Sequence, residues 1–469
     1  MPVSTRHPSY NTHKPLWDFV RRVCAGNHAV KASKTEDLPA IFAQDEPDRY
    51  KQYLERAYLL GVTGRTRDAF TGMVFRKDAT QQLPPKMAEL AENINGSGQS
   101  LGQLAKAMVS DLLEVGRFGL LVDYPPVPVG TDSQRERELG ARPIIATYPA
   151  ESIVNWQTAK VGNQNKLTLV VLAEQVNISP DEFVTQHETV YRVLRLRDGV
   201  YSQTLYDDSG AELVAEYNPK AMGQTFDHIP FHIAGSVDNT PEPDLPTLYD
   251  LAVVNVAHYR NTADLEESSF ICGQPTFHLD VGSTDDTLFK ALNPNGMQVG
   301  SRSGTLTKGG RLELVQAAPN NLPLTLMQEK ERQMVAIGAR IVTRGGQAQT
   351  AEAARLEASA EASTLDNLVG NASEALEAAL EDMARFVGSD PEQVQFALNK
   401  NYWEQNLTAQ DLQAIITGVG RIYAPLDAIQ MIRTGRISLN PERNDKTILQ
   451  DAASSALDSL DDLSITATV

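Results

Sequence analysis

One run constrains this chain more than any other. Ala351 to Val387 reads as a single helix of some 37 residues, about 55 Å long at 1.5 Å per residue. Leu365, Leu368, Val369, Ala372, Leu376, Ala379, Leu380, Met383 and Val387 recur at helical period and form one apolar stripe. Glu352, Glu357, Glu361, Glu374, Glu377 and Glu381 fall mostly off it. The first third is nearly all alanine, which suits close approach to another backbone. A helix this long rarely packs along its whole length inside one compact domain. The chain of 469 residues is therefore expected to have several parts, roughly three by length alone.

Two more helices stand before it. Pro241, Pro243 and Pro246 punctuate the chain, and Thr247 to Phe270 then reads as a helix. A second runs from about Pro323 to Val342, interrupted at Thr343 to Gln347. Between them, Gly273 to Pro319 is dense in Gly, Pro, Asn, Ser and Thr, with short strand candidates at Thr276–Leu279, Thr305–Leu306 and Leu312–Val315.

The first half mixes helices and strands. Asp48 to Leu60 and Thr66 to Phe75 carry helical spacing, and Leu101 to Val115 is an amphipathic helix ending at Gly116. Phe118 to Val122 reads as a buried strand, and the polar run 126–142 as an exposed loop. Ile144–Tyr148, Leu167–Ala173 and Thr189–Leu196 are strand candidates. Asp198-Gly199 is a hairpin signal, so 189–217 is expected to be a three-stranded meander. Met1 to Lys14 is polar, unlike a signal peptide, and is expected to be a loose arm. Val394 to Leu398 reads as a strand, and helices follow, with Thr408 and Asp411 as a capping pair and an acidic tail from Asp451.

A net charge of −18 argues against a protein that grips nucleic acid over its whole surface. Two distant cysteines, Cys24 and Cys272, exclude a disulfide scaffold or a Cys-based zinc site and suggest a reducing compartment. No run of 18 apolar residues suggests a membrane span. Catalytic signatures are missing. Gly61 to Thr66 lacks the spacing and the lysine of a phosphate loop, Gly418-Val419-Gly420 follows a helix rather than a strand, and His187-Glu188 stands alone. Asp123 ends an apolar strand, where α/β enzymes often place an acid, but it reads equally as a strand cap with Tyr124. Arg192, Arg195 and Arg197 read as a salt-bridged strand before a nucleic-acid patch.

The ordered series, more than any single motif, resembles the portal proteins of tailed bacteriophages. Leu112 to Pro125 (LLEVGRFGLLVDYP) resembles the helix, glycine and strand of the portal wing, and Tyr148 to Trp156 (YPAESIVNW) the strand after it. Glu331 to Leu365 looks like the second stem helix, tunnel loop and long wing helix, and Phe396 to Ile437 like the end of the wing and the crown. The implied fold is α+β: an α/β wing, a two-helix stem, a small β-rich clip, one long wing helix and an α-helical crown. The implied division is an N-terminal arm (1–47), first wing part (48–246), stem helix 1 (247–270), clip (271–319), stem helix 2 (320–342), tunnel loop (343–350), long helix and wing strand (351–406), and crown with acidic tail (407–469).

The resemblance implies a non-enzymatic homo-oligomer, usually a ring of twelve, at one capsid vertex of the virion. It would assemble in the host bacterial cytoplasm, with no cofactor, metal or membrane. Double-stranded DNA would pass through the channel. Large terminase subunit, neck or adaptor proteins, major capsid protein and scaffold would be the other partners. Arg344, Gly345, Gly346, Gln347 and Gln349 would line the tunnel loop, and Lys330, Arg332 and Arg340 are stem candidates for the channel. Asp285, Asp286, Lys290, Arg302, Lys308, Arg311 and Glu313 would meet clip partners. The competing readings are another virion structural protein, such as a neck adaptor or coat subunit, and an enzyme using Asp123 or His258.

Overall fold

The long helix is present, and its stripe is the floor of the core. In the computed structural model, described over residues 2–40, 47–124, 142–179, 181–274, 276–282, 285–297, 305–315, 318, 320–338, 351–400 and six isolated positions beyond, it spans Ala351–Phe386. Leu368, Val369, Ala372, Leu376, Ala379, Leu380 and Met383 are all essentially inaccessible. The chain divides into two compact units, Met1–Leu398 and Asn399–Val469. Only isolated positions of the second are described, so the crown expected over 407–469 lies outside the described residues.

The first unit begins with helices α1 (Pro8–Ala25), α2 (Asn27–Ala32), α3 (Pro47–Arg56) and α4 (Val62–Val74). Strand β1 (Thr80–Gln82), α5 (Pro85–Glu92) and α6 (Leu101–Val115) follow. Ser100 and Gln103 form a reciprocal capping box at the start of α6. Gly116 ends it in the left-handed region at φ 72°, where a Cβ would press against Ser236 Oγ at 3.0 Å.

That turn launches β2 (Arg117–Asp123), the centre of an antiparallel three-stranded sheet ordered β11–β2–β3, with β3 at Ile144–Pro149 and β11 at Phe231–Gly235. The long helix packs on this sheet, and β2 is buried over six of its seven residues. A second sheet is an antiparallel meander of β4 (Ile153–Val161), β5 (Gln164–Asn177), β6 (His187–Arg197), β7 (Val200–Asp207) and β8 (Glu212–Tyr217). It contains the expected three-stranded meander and extends it by two strands. Asp198 and Gly199 both have positive φ, 52° and 73°, and join β6 to β7 directly. The short pair β9 (Lys220–Ala221) and β10 (Gln224–Thr225) leads to β11.

The chain then leaves this body through α7 (Tyr249–Gly273) and β12 (Thr276–Asp280), reaches α8 (Asp286–Leu292) and β13 (Arg311–Val315), and returns through α9 (Leu322–Ala336). The long helix, α10 from here on, precedes β14 (Gln395–Ala397), which pairs with β1 at the opposite end of the sequence.

Three expectations need correction. The N-terminal segment is not a loose arm: Tyr10, Trp17, Val20 and Val23 are buried, His7 stacks on Trp156 at 4.0 Å, and the His7 amide bonds Val154 O at 2.9 Å. A polar opening stretch concealed the amphipathic helix that begins at Pro8. Thr305–Leu306 is not a strand. The Asn293 amide bonds both backbone groups of Leu306, at 2.7 and 2.8 Å, in place of a neighbouring strand. Residues 286–292, not anticipated as a helix, form α8 because Asp285 caps it, accepting from the Leu288 amide at 2.8 Å.

The end of α10 is tied to the sheet by charge. Asp382, 1% exposed, accepts from Arg385 at 2.7 Å, His232 Nε2 at 2.8 Å and His228 Nε2 at 3.1 Å. Burial alone would raise this carboxyl, but its hydrogen bonds to His228 and His232 hold it well below the usual carboxylate range. Burial opposes charging of His228, yet Asp382 and then Asp227 outweigh burial and raise its pKa. A raised histidine stabilises fully below its unfolded value, and that contribution is lost as pH climbs through the higher folded value. His228→Ala should therefore lower the melting temperature clearly at pH 6 and much less at pH 9. Equal losses at both, by calorimetry, would show that the ring packs without its charge.

Candidate interaction site: the helix pair and its β-module

The excursion is positioned by a row of polar ties along α7. Asn255, fully buried, accepts from Thr63 Oγ at 2.9 Å and donates to Leu60 O at 2.8 Å. Further along α7, Arg260 donates to Asp37 O at 2.7 Å, Thr262 donates to Tyr58 O at 2.9 Å, and Tyr53 bonds Asp264 at 2.7 Å. Arg56 pairs with Glu267 and lies 3.8 Å over the Phe270 ring. The carbonyls of Tyr58 and Leu60, in the link between α3 and α4, thus find partners on α7. The helical spacing read over Asp48–Leu60 overruns: α3 ends at Arg56, and the link to α4 brackets the outgoing helix instead.

Helix α9 returns antiparallel to α7. Cys272 faces Ala318 O, Asn261 faces Lys330, and His258 faces Glu331. Only Pro323, Met327 and Met334 of α9 are buried, a narrow seam against α7. Lys330 spends a donor on Asn261 and so serves the pairing of the two helices. Arg332, with its side chain 77% exposed, makes an ion pair one turn away with Glu329. Arg340 and the five tunnel-loop candidates, Arg344, Gly345, Gly346, Gln347 and Gln349, lie outside the described residues.

The module between the helices has two faces. Strands β12 and β13 are antiparallel, with Phe277 opposite Leu314, Leu279 opposite Leu312, His278 opposite Glu313 and Asp280 opposite Arg311. Because side chains alternate, Phe277, Leu279, Leu312 and Leu314 share one apolar face, and the charged residues share the other. The apolar face is open: Phe277, Leu312 and Leu314 are 42–54% exposed. Both outer strand edges are unpaired among the described residues. An isolated two-stranded hairpin is marginal in water, so such a module gains from a neighbour.

The charged candidates are sorted by the same geometry. Asp285 caps α8, Asp286 sits in its first turn and Lys290 in its last, each on the favourable side of the helix dipole. Arg311 and Glu313 pair with each other at 3.1 Å. Lys308 bridges to Gly282 through its backbone, and Arg302 lies outside the described residues. The feature that charge-reading missed is the apolar face, although Phe277-His-Leu279 and Leu312-Glu-Leu314 alternate in plain view.

Apolar exposure concentrates here. Of the 25 exposed large hydrophobic residues among the described ones, 14 fall between Val253 and Ile337. The two enzyme candidates lie elsewhere in chemistry. Asp123 accepts from the Tyr124 amide at 2.9 Å and from Gln203 at 3.0 Å, with Arg192 at 3.4 Å, which is the strand cap considered above. Arg192 also chelates Glu174, and Arg195 bonds Thr204, so this strand is salt-bridged and hydrogen-bonded as expected. His258 is buried, burial lowers its pKa, and Glu331 only partly compensates. Among the described residues no group of three or more His, Cys, Asp or Glu is disposed to hold a metal ion, and no helix is long and apolar enough to cross a membrane.

Comparisons with known proteins add the following. Residues 247–387 match a family model described as a domain of unknown function, DUF4055. That match, under a third of the chain, opens two residues before α7 and closes one after α10. No curated protein matches. Among solved structures, a chain in the virion of a native gene transfer agent particle is similar at 11% identity and TM-score 0.45, over 86% of this chain and 98% of that one. A chain in the neck of the native particle, computed with C12 symmetry, is similar at 12% identity and TM-score 0.44, over 79% and 89%. The neck of the empty particle, computed with C6 symmetry, gives the same values. Similarity this distant carries no functional weight, and the reading below rests on the chain's own geometry.

Asn255→Ala should leave the buried Thr63 hydroxyl and Leu60 carbonyl without partners, at a cost of about 1–3 kcal/mol. Hydrogen exchange should speed up along α7 and the start of α4. Protection unchanged there would mean the ties are incidental to the bracket.

Proposed function

We propose that this chain is a portal subunit: a closed ring at one capsid vertex that conducts double-stranded DNA and presents a docking platform for terminase and neck proteins. The observation that carries the reading is the out-and-back excursion. Two antiparallel helices, held at their base by buried polar ties, lead to a small β-module whose apolar face and strand edges are open. In one copy this arrangement leaves apolar surface in water. In a ring each copy covers its neighbour's, and the helix pairs become a tube wall.

In this reading α7 and α9 are the stem, the β-module is the clip, and α10 belongs to the wing. Residues 343–350 are the tunnel loop, with Arg344 giving one positive charge per subunit to meet phosphate. The rest of an acidic wall repels DNA and lets it slide. Open strand edges in the clip suit a module that pairs with neighbours and exchanges terminase for neck proteins. The chain would act within the virion and without a reaction of its own.

Native mass spectrometry with negative-stain images of the purified chain tests this. Closed rings of about twelve copies with a central hole are expected. Shells or sheets would point to a coat subunit, and a persistent monomer would end the ring reading. Arg344→Ala should leave ring mass unchanged and reduce the packaged genome or its retention. Normal packaging and infectivity would remove Arg344 from the channel's work.

A further inference from the structure

The wing carries a knob and a recess at opposite ends of one strand. Strand β5 runs fourteen residues, Gln164–Asn177, about 43 Å at 3.3 Å per step. Beyond its far end the β5–β6 tip is a built turn. Asn177 accepts from the Ser179 amide at 2.8 Å, Asp181 accepts from the Phe183 and Val184 amides at 2.8 and 2.9 Å, and Ser179 Oγ accepts from Gln186 at 2.9 Å. This turn holds Phe183 out at 87% exposure, beside exposed Ile178 and Val184. Asp181 and Glu182 make the tip acidic. Among the described residues, nothing covers this large aromatic on its self-bonded turn.

At the near end of β5, Lys166 lines a recess of about 770 Å³ together with Met222, Phe226, His228 and Arg385. Met222 stands at the β9–β10 turn, at φ 50° and 75% exposed, and forms an apolar wall with Phe226. The lining carries Lys166, His228 and Arg385 against one exposed acid, Asp227. Lys166 bonds Asp227 at 3.3 Å, and Arg385 bonds Asp382, each with a donor to spare. Asp227 is the acid exposed on this rim.

We infer that the Phe183 tip of one copy seats in the Lys166–Met222–Phe226 recess of the next, as a head-to-tail wing contact. This inference rests on the ring reading above and assigns it an interface. The two halves match in apolarity, and the remaining donors of Lys166 and Arg385 suit the carboxylates of Asp181 and Glu182. They stand a strand's length apart, so they cannot meet within one chain. A contact between different patches is heterologous and propagates from copy to copy until it closes. The occupant of the recess is therefore a second copy of this chain.

The test uses the full chain with Cys272→Ser, carrying Val184→Cys and Gln224→Cys, which flank the knob and the wall and leave Phe183 and Met222 in place, under mild oxidation. Cys24 is buried, and burial pushes its thiol up to about 12, so it stays inert. A non-reducing gel should show a ladder of chain multiples, absent in either single variant. Independently, Glu182→Lys should raise the concentration for half-assembly about tenfold, and adding Lys166→Glu should restore it. A ladder or a restoration supports the contact. A band that stops at the dimer means symmetric pairing and overturns it. Intact rings with neither ladder nor charge effect overturn this interface and leave the ring reading standing, whereas a chain that stays monomeric overturns both.

Discussion

The packing of one helix stripe against one small sheet determines where everything else can go. Helix α10 lays Leu368, Leu376, Leu380 and Met383 onto β11, β2 and β3. Burying four such side chains is worth about 1.5–3 kcal/mol each before entropy is counted. The hydrophobic term alone does not fix the helix along its axis, since a stripe of aliphatic residues can slide by a turn. Asp382 supplies that registration. A buried carboxylate needs its partners, and these sit on β11 and the segment before it, so a one-turn slip would strand the charge.

From that fixed floor the architecture proceeds by direction. Strand β11 leads, through Pro241 to Pro246, to α7, and the long helix receives the chain after the excursion. Both ends of the out-and-back segment are thus anchored in the same core. The N-terminal helices add a second restraint: α1, α3 and α4 wrap the base of α7, and Gly64 lets α4 approach α1 so closely that a Cβ would stand 2.6 Å from Cys24 O. Anchorage at the base and open surface at the tip are complementary properties. A projecting helix pair can carry load or meet partners only if its root is rigid.

Much of this was legible in order and little in detail. The stripe of α10, the break at Gly116 and the Asp198-Gly199 turn are local signals, and each stands where spacing placed it. What stayed hidden depends on distance along the chain. The pairing of Thr80–Gln82 with Gln395–Ala397 spans most of the unit, and three-residue strands carry no pattern of their own. The Met1–Lys14 segment is polar in composition, yet His7 and Arg6 pack through ring contacts that hydropathy does not weigh. The candidate charges were easier to find than to interpret: Asp285, Asp286 and Lys290 carry the charge pattern of a helix too short to announce itself by period.

The same contrast separates the two kinds of surface on this molecule. Charged residues at the excursion are largely spent locally, on caps, i to i+3 pairs and strand neighbours, and such exposed pairs contribute little energy. The apolar residues around them have no such local use. Side chains such as Phe277, Leu312 and Leu314 gain nothing from water, and their own module is too thin to cover them. In the proposed ring the association energy would come from apolar area, while the surrounding charges would set which neighbour is accepted and in what register. The proposed wing contact divides the labour in the same way, with Phe183 supplying the area and Asp181 and Glu182 the sign.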